Sequence, residues 1–202
     1  MLTIISPAAH QRLTTVEALR VELGLTGGAD DAYLEALIEQ ASAVMASWCG
    51  RSFALEGVRE TLHRDGRAGT LMLSRWPVVS IEAVTIGGTV LDPALAEAED
   101  GGFLYQLDGN GCRVGWPSGR AVVDYRAGYV LPDKPASTLP KDIERAAIIQ
   151  VKAWFFGRDR DPLTRSENVE GVGSTDYFSG TRTDLVPEVE NFLSRYRTVM
   201  IG

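Results

Sequence analysis

The spacing of apolar residues changes twice along the chain, and this change constrains the fold more than any other feature. From residue 13 to residue 48, apolar side chains recur every three or four positions, which is the repeat of amphipathic helices. From residue 58 to about residue 129 they alternate between segments rich in Gly, Pro, Asn and Asp, which is typical of short antiparallel strands. The helical repeat returns after residue 140. The sequence therefore predicts helices at both ends and a strand-rich block between them.

Two helices are predicted before the strand-rich block. Thr14 and Glu17 have capping-box spacing at the start of the first helix, which covers residues 13–25. The second helix begins at Asp30 or Asp31 and ends at Gly50, because glycine readily adopts the left-handed conformation that terminates a helix. Its apolar face comprises Tyr33, Leu34, Leu37, Ile38, Ala41, Val44, Met45 and Trp48.

A strong hairpin signal lies in the strand-rich block. The pair Asn110-Gly111 favours a tight turn that joins residues 103–107 to residues 112–114. Residues 122–125 are expected to form the last strand. The residues predicted to face a small core are Val79, Ile81, Val84 and Ile86.

The last third of the chain is predicted to hold two helices and a long loop. Residues 131–140 contain three prolines and read as a linker, and a third helix follows with Pro140 in its first turn. Residues 158–183 lack an apolar repeat and are expected to form a long flexible loop. Asp184 precedes the final helix, which has Pro187 near its start. The apolar face of this helix comprises Val189, Phe192, Leu193 and Tyr196.

These elements predict an α+β fold, namely a helical bundle of about four helices with an inserted small antiparallel β domain and a long loop before the C-terminal helix. The corresponding segments are residues 1–57 for the N-terminal helices, 58–130 for the strand-rich insertion, and 131–202 for the C-terminal helices with the loop.

Composition limits the classes of function. Of 202 residues, 45% are hydrophobic, which is enough to bury a core, and the net charge of −7 argues against a protein that grips nucleic acid through its phosphates. The acidic balance serves either solubility or a surface past which DNA slides without sticking. The sequence has neither a signal-peptide pattern nor a membrane-spanning apolar run, so secretion and membrane insertion are not expected. Cys49 and Cys112 match no metal or disulfide spacing and are predicted to be buried free thiols in a reducing compartment.

Catalytic and metal-binding signals are weak. His10 and His63 are predicted to be surface histidines, and Ser118 lies in a Gly-Trp-Pro-Ser-Gly segment without the spacing of a nucleophile elbow. The glycine-rich residues 171–175 lack the lysine of a phosphate-binding loop. Residues 108–110 begin like a calcium loop, but the later ligands are missing. The sequence therefore predicts no catalytic, cofactor-binding or metal-binding residue.

Two features at the end of the third helix bear on partner contact. Residues 158–161 alternate in charge, which indicates either a solvated face or an interface. Trp154, Phe155 and Phe156 cannot all point into one core from a helix. At least one of these rings is therefore expected to be exposed or to pack against the long loop.

Three stretches resemble the head-tail connector family, the adaptor or head-completion proteins of long-tailed phages and phage-like gene transfer agents. The first, in residues 13–51, is similar to the opening helix pair of that family and ends near its Gly-Arg. The second is Leu73–Ser80, which is similar to the start of the family's sheet region, together with Val123–Tyr129, which resembles its closing strand. The third, in residues 139–154, is similar to the helix that follows. The resemblance covers most of residues 13–157 and resumes at 186–197.

The resemblance implies a structural adaptor that is not an enzyme and needs no cofactor. It implies a ring of about twelve copies beneath the capsid portal. The ring joins the head to a stopper or tail-terminator protein, and DNA passes through its lumen without sequence-specific binding. The implied location is the neck of a virion or phage-like particle, assembled in the bacterial cytoplasm without membrane contact.

Two sets of residues are assigned to contacts as hypotheses. The final helix would dock to the portal through Phe192, Arg195, Tyr196 and Arg197. The long loop would order at the ring interface or lumen through Arg158, Arg160, Arg165, Tyr177, Phe178 and Arg182.

Two alternatives stay open. The chain could be a stopper or tail-completion protein of the same particle. It could also be a small hydrolase that uses the long loop as a lid, although the sequence offers no nucleophile and base with the expected spacing.

Overall fold

The computed structural model describes residues 1–64, 69–158 and 185–198, together with the backbone of residues 166–169 and 173–176. The chain forms two compact units. One joins Met1–His10 to Ser52–Val130, and we call it the sheet unit. The other joins Gln11–Arg51 to Leu131–Gly202, and we call it the helix unit.

The described part of the sheet unit contains nine strands. In chain order they are β1 (Leu2–Ser6), β2 (Glu56–Arg64), β3 (Leu71–Met72), β4 (Val78–Ile86), β5 (Thr89–Leu91), β6 (Ala96–Glu99), β7 (Phe103–Leu107), β8 (Arg113–Val114) and β9 (Gly119–Ala127).

These strands form two antiparallel sheets. The five-stranded sheet has the order β1-β2-β9-β4-β5, and every strand in it is antiparallel to its neighbours. The four-stranded sheet has the order β3-β7-β6, with β8 paired to β7. Apolar residues from both sheets share one core, whose fully buried members include Val58, Val84, Leu104, Val123 and Tyr125.

A buried carboxylate lies in this core, and both of its oxygens accept hydrogen bonds. Glu60 is 3% exposed, and its Oε2 accepts hydrogen bonds from the backbone N–H of Ser74 at 2.9 Å and from the Tyr125 hydroxyl at 2.8 Å. The Ser74 hydroxyl donates to Oε1. Burial raises the pKa of Tyr125, so its hydroxyl remains a donor across the physiological range. These bonds compensate for the loss of water around the carboxylate.

The described residues of the helix unit form four α-helices, α1 (Val16–Leu23), α2 (Asp31–Cys49), α3 (Lys141–Gly157) and α4 (Pro187–Leu193), and a 3-10 turn, Ser194–Tyr196, follows α4. Two short strands, β10 (Ser166–Val169) and β11 (Gly173–Asp176), pair with each other. The helices α1, α2 and α3 meet in a core that includes Leu19, Leu34, Ile38, Ala41 and Val151.

The predicted helical bundle with a small inserted β domain is wrong. Two antiparallel sheets, of five and four strands, give the chain a largely β character. The prediction missed strands that are too short to show an alternating pattern, such as β3 and β5. It also missed β1, whose partner β2 lies far along the chain. The division into residues 1–57, 58–130 and 131–202 stays a prediction.

Several local predictions are confirmed. The first two helices lie where the helical repeat indicates, and Gly50 ends α2 with a φ of 67°. The hairpin at Asn110-Gly111 joins β7 to β8, and Gly111 has a φ of 79°. Turn and helix-end signals are therefore reliable where neighbouring residues alone decide the conformation.

Other local predictions need correction. Thr15, not Thr14, caps α1, and its hydroxyl accepts a hydrogen bond from the Ala18 N–H at 3.2 Å. Val79 is 59% exposed and not in the core, because irregularities in β4 next to residues 79 and 82 break the alternation of its side chains. Cys49 and Cys112 are both free thiols, but Cys112 is exposed. A loop without strands over 158–183 is also wrong, because β10 and β11 pair there.

Candidate functional site

The C-terminal segment of the helix unit, residues 185–198, is held in place by a buried apolar anchor. Leu185, Val189 and Leu193 are fully buried, and α4 packs against α3. The backbone N–H of Val186 donates to Oε1 of Gln150 on α3 at 3.1 Å. The anchor fixes the position of every exposed side chain that follows it.

The end of α2 supports the same segment. The backbone N–H of Thr198 donates to the carbonyl oxygen of Cys49 at 2.8 Å, and the Cys49 thiol lies 4.0 Å from the carbonyl oxygen of Leu193. Burial raises the pKa of the Cys49 thiol to about 11. The thiol therefore stays protonated near neutral pH, where it is a weak hydrogen-bond donor and not a nucleophile.

Asp142, in the first turn of α3, orients the end of the segment. The Tyr196 hydroxyl lies 2.9 Å from each oxygen of the Asp142 carboxylate, and Nη2 of Arg195 lies 3.4 Å from Oδ2. The Asp142 carboxylate also accepts a hydrogen bond from the backbone N–H of Ile143 at 2.9 Å. A carboxylate at the start of a helix is favoured by the helix dipole. One side chain therefore positions both Tyr196 and Arg195.

The four residues predicted to dock to the portal lie together on this segment. Phe192 and Tyr196 are half-buried, and Arg195 and Arg197 are exposed. The guanidinium of Arg197 lies 5.2 Å from the centroid of the Trp48 ring, and that of Arg195 lies 5.8 Å from the centroid of the Tyr196 ring. Stacking of this kind limits the motion of both arginines while leaving them exposed. Their assignment to portal docking stays a prediction.

An aromatic patch lies at the end of α3, and we define it as Tyr33, Phe155 and Phe156. The ring centroids are 6.1 Å apart for Tyr33 and Phe155 and 5.7 Å apart for Phe155 and Phe156. Phe155 is buried, whereas Phe156 is 66% exposed. The prediction that at least one ring of residues 154–156 is exposed is confirmed.

One residue of the predicted interface loop borders this patch. Nη1 of Arg158 lies 3.3 Å from Oδ1 of Asp30, and its guanidinium lies 4.6 Å from the Phe155 centroid. The side chains of Arg158 and Asp30 are 41% and 39% exposed, so water weakens this ion pair and it contributes little to stability. The other members of the set, Arg160, Arg165, Tyr177, Phe178 and Arg182, lie outside the described residues.

The described residues offer little for catalysis or metal binding. His63 and Ser118 are exposed, and His10 is half-buried. Within the described ranges, no three His, Cys, Asp or Glu side chains are grouped so that they could hold a metal ion. None of the described helices has the length and apolarity needed to cross a membrane.

Sequence reasoning found the exposed end of the segment but missed what holds it. Asp142, Trp48 and Cys49 support residues 193–198 from other helices. No spacing in the sequence links these positions, because the contacts join residues more than fifty positions apart. Asp142 could have been noted as an acidic residue in a first helical turn, but that signal does not indicate its partner.

Exposed arginines that stack on aromatic rings, together with exposed aromatic rings, are typical of surfaces that bind other proteins. The model of the head completion protein family matches residues 12–199, which is nearly the whole chain. The chain therefore belongs to the head completion protein family. This membership confirms the resemblance seen in the sequence and the role that it implied, that of a head-tail connector adaptor.

Three solved structures are similar to the chain along its whole length. They are described as the neck of a native gene transfer agent (GTA) particle computed with C12 symmetry, the neck of an empty GTA particle computed with C6 symmetry, and the virion of a native GTA particle. The TM-scores are 0.58, 0.56 and 0.59, with identities of 18%, 21% and 20%. Each match covers 100% of this chain and 97% of the other. Likeness at this identity shows the fold. No curated protein sequence matches the chain.

Proposed function

We propose that the chain is a structural, non-enzymatic adaptor that forms a ring in the neck of a phage-like particle. The ring lies beneath the capsid portal, joins the head to a stopper or tail-terminator protein, and surrounds the channel through which DNA passes. Membership of the head completion family over residues 12–199 carries this proposal. The similarity to chains from GTA necks computed with C12 and C6 symmetry supports the ring.

The C-terminal segment is the surface that docks to the portal. Arg195 and Arg197 are exposed, and they are held by Tyr196, Asp142 and Trp48. Because these contacts already restrict the side chains, binding a partner costs less conformational entropy than ordering free arginines would. Arginine and tyrosine are also the residues that most often dominate protein–protein binding energy.

The aromatic patch is a second contact surface, placed between copies of the chain. Phe156 exposes a large apolar ring next to the Arg158–Asp30 pair, so an apolar centre has a charged border. This arrangement resembles an interface with an apolar centre and a polar rim. The net charge of −7 suits a channel protein that DNA passes without adhering.

Deletion and restoration of the gene in the producing strain test the adaptor role. Electron microscopy of the deletion strain is expected to show DNA-containing heads and separate tails, and restoring the gene is expected to rejoin them. Tailed particles at the usual number in the deletion strain would exclude the role. A stopper would act further from the portal, so locating the chain by labelling within the restored particles separates the two positions.

Charge reversal tests the docking surface more cleanly than truncation does. Removing residues 184–202 would take away Leu185, Val189 and Leu193, which are fully buried, and would expose the core that they cover. The double variant R195E/R197E keeps this anchor and is expected to weaken binding to isolated portal rings by about tenfold or more.

Arg126, an exposed arginine in the sheet unit, supplies a control for charge reversal away from the C-terminal segment. R126E is expected to bind portal rings like the unchanged chain. Equal binding by all three proteins would refute the assignment of the C-terminal segment while leaving the adaptor role open.

A further inference from the structure

Both outer edges of the five-stranded sheet are open in the part of the chain that the structure describes. β1 pairs with β2 on one side, and β5 pairs with β4 on one side. No described strand pairs with the outer side of either. The outward N–H and C=O groups of such edges are a template for a strand from another chain.

The edge strands of the two sheets differ in charge. β6, an edge of the four-stranded sheet, carries Glu97 and Glu99, and Arg113 of β8 binds both carboxylates. Charged side chains of this kind protect an edge from pairing with another strand. β1 reads Leu-Thr-Ile-Ile-Ser and β5 reads Thr-Val-Leu, so neither contains a charged residue or a proline. This protection is therefore absent from β1 and β5.

The apolar face of the five-stranded sheet extends to both of these edges. Ile4 of β1 lies opposite the buried Val58, and Leu91 of β5 lies opposite the buried Val84, so both side chains are on the core face. Ile4 is nevertheless 43% exposed. The side chain lies on the core face of the sheet, but no described strand pairs with the outer side of β1 to bury it. Another strand at this edge would complete its burial.

The direction of the strands decides which edges match. Because each of the five strands is antiparallel to the next, β1 and β5 run in the same direction. In a ring of many copies, each copy is related to the next by a small rotation about the ring axis. Neighbouring copies therefore have nearly the same orientation, and one side of a copy contacts the opposite side of the next. Such neighbours would bring β1 of one copy beside β5 of the next in parallel. A two-fold axis would instead pair β1 with β1, or β5 with β5, in antiparallel fashion.

We propose that neighbouring copies of this chain join by strand addition, with β1 of one copy parallel to β5 of the next. This contact makes the five-stranded sheets continuous from copy to copy and covers Ile4. The inference rests on the ring of the proposed function and identifies a contact that builds it.

Crosslinking in assembled particles tests this contact. Thr3 lies opposite Arg59 and Val90 lies opposite Thr85, on the outer face of the sheet, and both are exposed. Four strand spacings, or about 19 Å, separate their strands within one copy, which is too far for a disulfide or a short linker. Particles carrying T3C/V90C, in a C112S background that removes the exposed native thiol, are treated with a short bismaleimide. A ladder of covalent multimers is expected in denaturing gels.

Three controls define the geometry. T3C alone and V90C alone should give no multimers, and dimers from either would indicate two-fold pairing and overturn the proposal. T3C/V79C places the second thiol at an exposed position on the inner strand β4 and should give no ladder. If tailed particles containing T3C/V90C form normally but yield only monomer, strand addition is wrong and the adaptor role stands. Tailed particles that lack the chain would refute the adaptor role itself.

Hydrogen exchange of the unchanged chain gives an independent measurement. Strand addition would protect outward amides of residues 2–6 and 89–91 in assembled particles relative to the isolated chain. Equal exchange in the two states would overturn the proposal without any substitution.

Discussion

Replacing Glu60 by alanine is expected to destabilise the sheet unit far more than replacing it by glutamine. In Glu60→Ala, the Tyr125 hydroxyl loses its acceptor while remaining buried. The N–H of Ser74, which is an exposed residue, loses a partly buried hydrogen bond. A buried donor left without a partner costs about 1–3 kcal/mol. The buried hydroxyl and the lost hydrogen bond of the Ser74 N–H together predict a loss of about 3 kcal/mol in the free energy of unfolding.

Glu60→Gln keeps the same number of hydrogen bonds. The amide oxygen can accept from Tyr125 and from the Ser74 N–H, and the amide NH2 can donate to the Ser74 hydroxyl, which rotates to accept. The variant loses the charge on the acceptor, so the expected cost is about 1 kcal/mol. Tyr125→Phe removes one donor while leaving Glu60 bonded to Ser74, and should fall between the two variants.

Urea unfolding followed by circular dichroism and tryptophan fluorescence measures these differences. The three variants should shift the midpoint in the order Gln, Phe, Ala with similar slopes. If Glu60→Ala and Glu60→Gln lose the same free energy, the hydrogen bonds of this carboxylate are not what stabilises the core, and the reasoning is refuted.

Three further outcomes are expected. Gly128→Ala should lower the free energy of unfolding by several kcal/mol, because φ is +112° and the new Cβ would collide with the backbone oxygen of Ala54. Gly87 has a φ of +58° and open space around it, so Gly87→Ala should cost only about 1 kcal/mol. Thermal unfolding measures both. The hydrogen bonds from Arg59 lower the pKa of Asp124, so this pair stabilises the fold above the usual carboxylate pKa near 3.9. The stability gap between the unchanged chain and Asp124→Asn should then shrink as pH falls through the lowered pKa, and a gap independent of pH would contradict this. Leu193→Ala should cost about 2–5 kcal/mol in urea unfolding and also weaken portal binding; binding without loss would show that the anchor does not position the segment.

Residues 31–50 and 103–114 show what the sequence could predict. A helix of five turns with a terminal glycine, and a hairpin with Asn-Gly at its tip, depend on residues close in sequence. Their signals are therefore complete within a short window. The family resemblance added the connector role, because it rests on the order of several such windows.

The remaining features depend on residues far apart in the chain. β1 shows no alternation that distinguishes it from a disordered arm, and its pairing with β2 is decided by the finished core. The irregularities in β4 change the side of the sheet on which Val79 lies. A simple alternation of apolar residues in the sequence does not reveal such irregularities. The Tyr196–Asp142 contact likewise exists only because α4 packs on α3.

The route of the chain through its two units has a consequence for synthesis. β1 leaves the ribosome before α1 and α2, yet its partner β2 begins only at Glu56. Pairing them closes a loop that contains both helices, and such long-range closure slows folding. The helix unit is incomplete for longer still, because α3 starts at Lys141. An uncharged strand therefore remains unpaired on the nascent chain while more than fifty residues are added, and chains made side by side on one messenger could pair through it too early.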